Sequence, residues 1–245
     1  MDEKNSENFS RSEKEERNSW TIIYSKRKTL GIVVNPDGTV VLKAPLDAPL
    51  SVITEKVKKR SSWIMKQQRF FESFGKPAPK RRYISGESHF YLGRPYRLYV
   101  RESKPNRVSF EGRCFEIVCS PASQAESLMK AWYREQAKAK FAEIAAPIIQ
   151  QFKKYDVTPQ SICIQAMENR WGSCTPKGKI ILNTELIKAP KHCIQYVITH
   201  EMCHLLHKNH TQVFYALLQK EMPDWEKWKN KLEKTLSPHL GFVNK

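Results

Sequence analysis

The chain has 245 residues, 40% of them hydrophobic and 11% aromatic, which suffices for one large domain or two modest ones whose core needs no disulfide staples. Lys plus Arg is 42 and Asp plus Glu is 25, so the net charge is 42 − 25 = +17. Such a surface attracts polyanions and bears on partners rather than on reaction type. No apolar run approaches the roughly 18 residues of a membrane span, and the charged start is unlike a signal peptide. The six cysteines show no C-x-x-C spacing, which argues against a zinc ribbon, and cytosolic thiols in a cytoplasmic protein are the expectation.

Residues 1–19 are charged or small and polar, and read as a disordered tail because they bury too little apolar surface to offset ordering. From Trp20, β-branched runs flank an Asn-Pro-Asp-Gly turn, which predicts a hairpin. Ser51 is placed to cap a helix running to about Phe74, with Ile53, Val57, Trp63, Ile64 and Phe71 as its apolar residues. Residues 75–82, GKPAPKRR, read as a linker, and the runs FYLGRPYRLYV and RVSFEGRCFEIVC as further hairpin strands. Residues 20–120 are thus expected to form a β-rich domain with one helix, and 121–245 a second domain.

A long helix is expected from about Ala125, with Leu128, Trp132, Phe141, Ile144, Ile148 and Phe152 at helical spacing and Pro147 kinking or splitting it. Two strands then flank the turn Thr175-Pro176-Lys177-Gly178. Pro190 suits the first turn of a helix running to about His207. Asn209 can cap the next helix, with Gln212 as its partner. Trp225 and Trp228 read as packing residues, and the clusters at 58–60 and 80–82 as solvated charge or a phosphate-binding face.

The helix that follows Pro190 carries the chemistry, in the stretch HEMCHLLHKNH at positions 200–210. His200 and His204 are four apart and project from one helical face, where two imidazoles can share one Zn2+. Glu201 lies beside them as a general base for water on that metal, the H-E-x-x-H arrangement. A catalytic zinc needs a third protein ligand, and His207 and His210 are the candidates by spacing. A turn at Lys208-Asn209 can swing His210 back onto the metal, which makes it the preferred third ligand; His207 is then placed to orient a neighbour or contact substrate. The spacing from His200 to His210 equals that of H-E-x-x-H-x-x-G-x-x-H, but His207 stands where that pattern has Gly, so the turn is made differently. Cys174 and Cys203 are near in sequence but unnecessary as ligands when three histidines are at hand.

With RWGSC at 170–174, then ILNTELIKAP and VITHEMCHLLHKNH, the chain resembles the YgjP-like metallopeptidase family, relatives of the SprT and WLM metalloproteases. The resemblance spans nearly the whole chain after the tail, including RKTLGIVVNPDGTVVLKAP and YLGRPYRLYV. It implies an α+β protein with a β-rich N-terminal part followed by a zincin-like catalytic domain built on an active-site helix. It also implies His200, His204 and His210 as zinc ligands and Glu201 as the base. Some members of that family are described as nucleotide pyrophosphatases.

RWGSC has a physical reading of its own. It ends a strand at a hairpin near the catalytic helix, where an edge strand can pair with an extended peptide. Arg170 can bind a carboxylate or phosphate or steady an oxyanion, or it is structural. Trp171, Gly172 and Cys174 read as structural, with Gly172 allowing a bulge. The expected function is a zinc metallopeptidase acting on peptide or protein. The alternatives are a metal-dependent nucleotide hydrolase at the same site, weakened by the lack of a P-loop and of a carboxylate cluster for Mg2+, and a nucleic-acid-binding protein with structural zinc, which leaves Glu201 without a use.

Overall fold

The computed structural model describes residues 20–35, 37–73, 81–167 and 170–240, with side chains to Leu236. The tail at 1–19 and most of the linker at 75–82 lie outside the described residues. The chain is α+β and divides into two compact units, which among the described residues comprise 20–73 with 237–240, and 81–236. The strands between residues 88 and 119 share a compact unit with the helices that follow residue 120, while those before Ser73 belong to the other unit.

In the first unit, β1 (Trp20–Ser25), β2 (Gly31–Val34) and β3 (Val40–Pro45) form a sheet in the order β1-β3-β2. The expected hairpin is β2–β3, antiparallel, while β1 lies parallel to β3. Alternation along β3 puts Val40, Leu42 and Ala44 inward, against Ile53, Val57, Ile64 and Phe71. Those four sit on two helices, α1 (Leu50–Lys59) and α2 (Ser61–Glu72), where one was expected. The break is at Arg60 (φ −107°, ψ 6°), just before the Ser61-Ser62 pair, whose hydroxyls compete with the helical backbone. Ser51 does not cap: α1 starts a residue earlier, after the extended Pro49.

In the second unit, β4 (Ser88–Tyr91), β5 (Arg94–Glu102), β6 (Arg107–Phe110) and β7 (Cys114–Cys119) form a sheet in the order β4-β5-β7-β6. The two expected hairpins are joined by a parallel β5/β7 pair. One face holds a cluster of Tyr91, Tyr96, Phe110 and Phe115 against Trp132 and Tyr133 of α3 (Ala125–Phe152), whose Tyr133 hydroxyl donates to the Phe90 carbonyl at 2.7 Å. Along the first half of α3 the buried stripe is Ala125, Met129, Tyr133, Ala137 and Phe141, one residue round from the Leu128 and Trp132 of the sequence reading.

Pro147 neither splits α3 nor ends it: the helix is continuous over 28 residues, about 42 Å. The carbonyl left without a donor is that of Glu143, and both residues are exposed, so water can take the lost bond. The far end of α3 is tied to α5 (Gln212–Glu221). The buried Glu221 carboxylate accepts from Gln151, Lys154 and the Tyr155 hydroxyl.

A second three-stranded sheet, β8 (Ser161–Gln165), β9 (Gly172–Cys174) and β10 (Lys179–Asn183), has the order β8-β10-β9, so β9 is an edge strand. After β10 a 3-10 segment (Thr184–Lys188) leads to α4 (Lys191–Cys203). Leu92 and Gly93 amides donate to the carbonyls of Ile187 and Lys188, both at 3.0 Å. Gly93 has φ +84°, and a Cβ there would stand 2.7 Å from Pro190. The turn between β4 and β5 therefore abuts the first turn of α4, and only Gly fits.

Candidate metal centre

α4 is buried round most of its circumference, and His200 lies on the side that also carries Cys193 and Val197, seven and three residues earlier. The helix ends at Cys203 rather than at His207. His204 is its C-cap, and Leu205, Leu206 and His207 amides fold back on the Met202 and Cys203 carbonyls in a tight turn. That early stop reverses the chain before Lys208 and brings His210 onto the ligand face. The next helix starts after Thr211; Asn209 supplies a carbonyl to the Thr211 amide, not a side-chain cap.

The three Nε2 atoms converge. His210 Nε2 lies 3.0 Å from that of His200 and 3.1 Å from that of His204. Ligands around a tetrahedral zinc stand about 3.3 Å apart, so the trio needs little movement to take one ion. Among the described residues this is the group able to hold a metal; it contains His200, His204 and His210, and neither His207 nor a cysteine. His204 Nδ1 donates to the His207 carbonyl at 3.0 Å, which fixes the tautomer and leaves the Nε2 lone pair toward the cluster. His207 therefore orients a neighbour, through its main chain. His200 Nδ1 is buried with no partner among the described residues.

Electrostatics keep the rings neutral, the form that ligates. Burial, then the facing His204 and His210 and Lys229, push His200 down to about 3, and burial also lowers His204 and His210. Phe214 of α5, fully buried, backs all three rings with centroids 4.6–5.0 Å away. Tyr215 stacks on His210 at 6.0 Å and on Trp225 at 5.6 Å, so Trp225 packs, as expected.

Glu201 is 6% exposed, and burial raises it to about 8 against the opposing pull of Arg170 and of the Cys174 amide. Its carboxylate lies over Gly172: a Cβ there would be 2.6 Å from Oε1 and 2.8 Å from Cγ. Arg170 is exposed, with Nη1 3.4 Å from Ser173 Oγ. Trp171 is buried. Burial raises the thiols of Cys203, to about 12, and of Cys174, so neither is a ready thiolate. The sequence reading missed Phe214 as the floor of the site, and it took Gly172 for a bulge. The signal for Gly172 was present: a glycine beside a motif whose partner must come close.

The family model for the YgjP-like metallopeptidase domain matches residues 28–235. The chain belongs to that family. Membership makes metal-dependent peptide hydrolysis its class of chemistry, and the match takes in both compact units and the whole histidine cluster. No curated protein matches the chain. Among solved structures it is similar to the metallopeptidase zymogen of Pyrococcus abyssi abylysin, at 14% identity and a TM-score of 0.31, over 45% of this chain and 98% of that one. No helix among the described residues is long and apolar enough to cross a membrane.

Proposed function

We propose that this YgjP-like chain is a zincin-type zinc peptidase, with His200, His204 and His210 as the ligands and Glu201 as the general base. The observation that carries the reading is the convergence of three imidazole Nε2 atoms, those of His200 and His204 lying 3.0 and 3.1 Å from that of His210, on a turn that begins where α4 stops. When bound, zinc supplies Lewis acidity and lowers the pKa of water toward about 7. Glu201, buried beside the cluster, is assigned to take a proton from the attacking water and to hand it to the leaving amine nitrogen. The His204 Nδ1 bond to the His207 carbonyl holds that ring in the ligating tautomer. Arg170, whose charge already acts on Glu201, is assigned to negative charge developing on the scissile carbonyl oxygen or to a substrate carboxylate. The +17 charge favours an acidic or otherwise anionic partner, and a cytoplasmic location is proposed on the six unpaired thiols.

The test is a paired hydrolysis assay of zinc-loaded wild type and Glu201→Gln, one arm with an unfolded protein and peptides, the other with nucleoside triphosphates. We expect Glu201→Gln to keep its zinc and lose about 10²- to 10⁴-fold in peptide turnover. Glu201-dependent pyrophosphate release with intact peptides would replace this reading by a nucleotide hydrolase. A fully active Glu201→Gln would end the general-base assignment.

A further inference from the structure

Two residues that face Glu201 from outside its own helix, Gly172 and Cys174, come from β9, and they are not ligands. Strand β9 pairs antiparallel with β10, with Ile181 opposite Ser173 and Leu182 opposite Gly172. The Trp171 carbonyl accepts from the Asn183 amide at 2.9 Å, and the Thr175 amide donates to the Lys179 carbonyl at 2.8 Å. Backbone groups alternate along a strand, so Trp171, Ser173 and Thr175 turn theirs to β10 while Gly172 and Cys174 turn theirs to the open edge. There the Cys174 N–H faces the Glu201 carboxyl and pulls its pKa down against the effect of burial. Two positions back, Gly172 has no Cβ in the space that Glu201 Oε1, Cγ and Cδ occupy, at 2.6, 2.8 and 3.0 Å from where one would stand. A contact below 3.0 Å cannot be absorbed without moving the acid or the strand.

The strand is itself pinned. Asn183, fully buried at the end of β10, donates from Nδ2 to the carbonyls of Met167 at 2.8 Å and Arg170 at 3.0 Å, and its Oδ1 accepts from the Glu185 amide at 3.1 Å. One side chain thereby holds both sides of the segment that leads into β9, as well as the start of the 3-10 segment that leads to α4.

We infer that Gly172, the Cys174 amide and Asn183 form a positioning device for the Glu201 carboxylate, in which β9 sets where the acid sits and Asn183 sets where β9 sits. This deepens the proposed peptidase reading and rests on it for its kinetic consequences only; the geometry has a test of its own. The edge amide of Cys174 faces the acid, so a substrate strand added to β9 competes with Glu201 for it.

The experiment has two readouts on the full chain. In the first, thermal melts with and without zinc follow Gly172→Ala in the wild-type background and in a Glu201→Ala background. If the acid occupies the space over Gly172, the loss in Tm caused by the alanine in wild type shrinks by half or more once Glu201 is truncated. Equal losses in both backgrounds would overturn the inference whatever the enzyme does. In the second, peptide turnover is measured for Gly172→Ala and for Cys174→Pro, the latter against Cys174→Ala, which keeps the amide. Proline at an open edge leaves the ladder to β10 intact, but its Cδ takes the place of the N–H that faces the acid, so Cys174→Pro removes the donor and displaces the carboxylate, and serves if Gly172→Ala folds poorly. We expect kcat to fall about 100-fold for Gly172→Ala and at least tenfold for Cys174→Pro relative to Cys174→Ala, with KM and bound zinc little changed. Losses confined to KM, or loss of zinc, would overturn the positioning role. A wild type without Glu201-dependent peptide cleavage would sink the peptidase reading and leave the melts to decide the geometry.

Discussion

The hairpins β2–β3 and β9–β10 turn in the same way. In the first, the Asn35 amide donates to the Thr39 carbonyl at 2.8 Å and Gly38 to Asn35 at 2.9 Å; in the second, Thr175 donates to Lys179 at 2.8 Å and Gly178 to Thr175 at 2.9 Å. The turn glycines have φ of +81° and +79°. Each hairpin lies beside an earlier strand parallel to its second arm, in the orders β1-β3-β2 and β8-β10-β9. Counting back from the glycines, Val34 corresponds to Cys174 and Ile32 to Gly172. Val34 is 4% exposed and Ile32 packs against the same core, whereas Gly172 admits a carboxylate. One scaffold thus serves two ends: in the first unit the edge strand fills the space beneath it, and in the second it leaves that space empty at one position.

Exchanging those residues attacks the difference directly. Gly172→Ile puts the β2 side chain into β9; we expect turnover to fall more than 100-fold with zinc still bound, measured by peptide hydrolysis and metal content. Ile32→Gly, the reverse exchange, is expected to cost about 3 kcal/mol in denaturant unfolding of the first unit while turnover per folded molecule holds. Retained activity in the first variant, or lost activity in the second, would break the comparison.

The units also differ in what acid does to them. The first has an apolar cluster beneath its sheet. The second carries Glu221, which burial would raise but which bonds from Lys154, Tyr155 and Gln151 hold below the usual carboxylate range. A carboxylate depressed on folding stabilises above its unfolded pKa, near 4.5, and that contribution is lost as pH falls through the lower folded value. Glu221→Gln should therefore cost about 1–2 kcal/mol at pH 7 and progressively less below pH 4.5, read from unfolding midpoints across pH. A constant deficit down to pH 2 would count against the tie. The smallest expected effect is at the turns themselves. Gly38→Ala and Gly178→Ala should each cost about 1 kcal/mol, because the penalty is the left-handed backbone and neither site is crowded: an added Cβ would meet nothing within 4 Å at Gly38, and at Gly178 it would meet Leu205 at 3.5 Å. Unequal costs would show that the two turns are alike in shape only.

Much of this was legible in the residues. Turn glycines announced both hairpins, and helical spacing found the inward residues of α1 and α2. The spacing of His200, His204 and His210 anticipated the cluster that the fold assembles. What escaped depends on contacts distant in sequence. Parallel pairing of β5 with β7 has no local signature. The early end of α4 at Cys203 lacks the Gly or Pro that would mark it. Pro147 was read as a break because the local rule ignores that its side of α3 is solvated. Glu201 and Gly172 are 29 positions apart, and their approach is a property of the folded edge that neither residue's neighbours encode.

The seat of Pro190 on Gly93 bears on modularity. The helix that carries His200 and Glu201 starts against a turn contributed by the strands before residue 120, through a contact that admits no side chain and two backbone hydrogen bonds of 3.0 Å. Dissecting the chain at 120 would retain every histidine of the cluster yet remove the abutment from which α4 is aimed. The smallest autonomous catalytic piece is therefore set by that abutment rather than by the motif, and it has to begin upstream of Leu92.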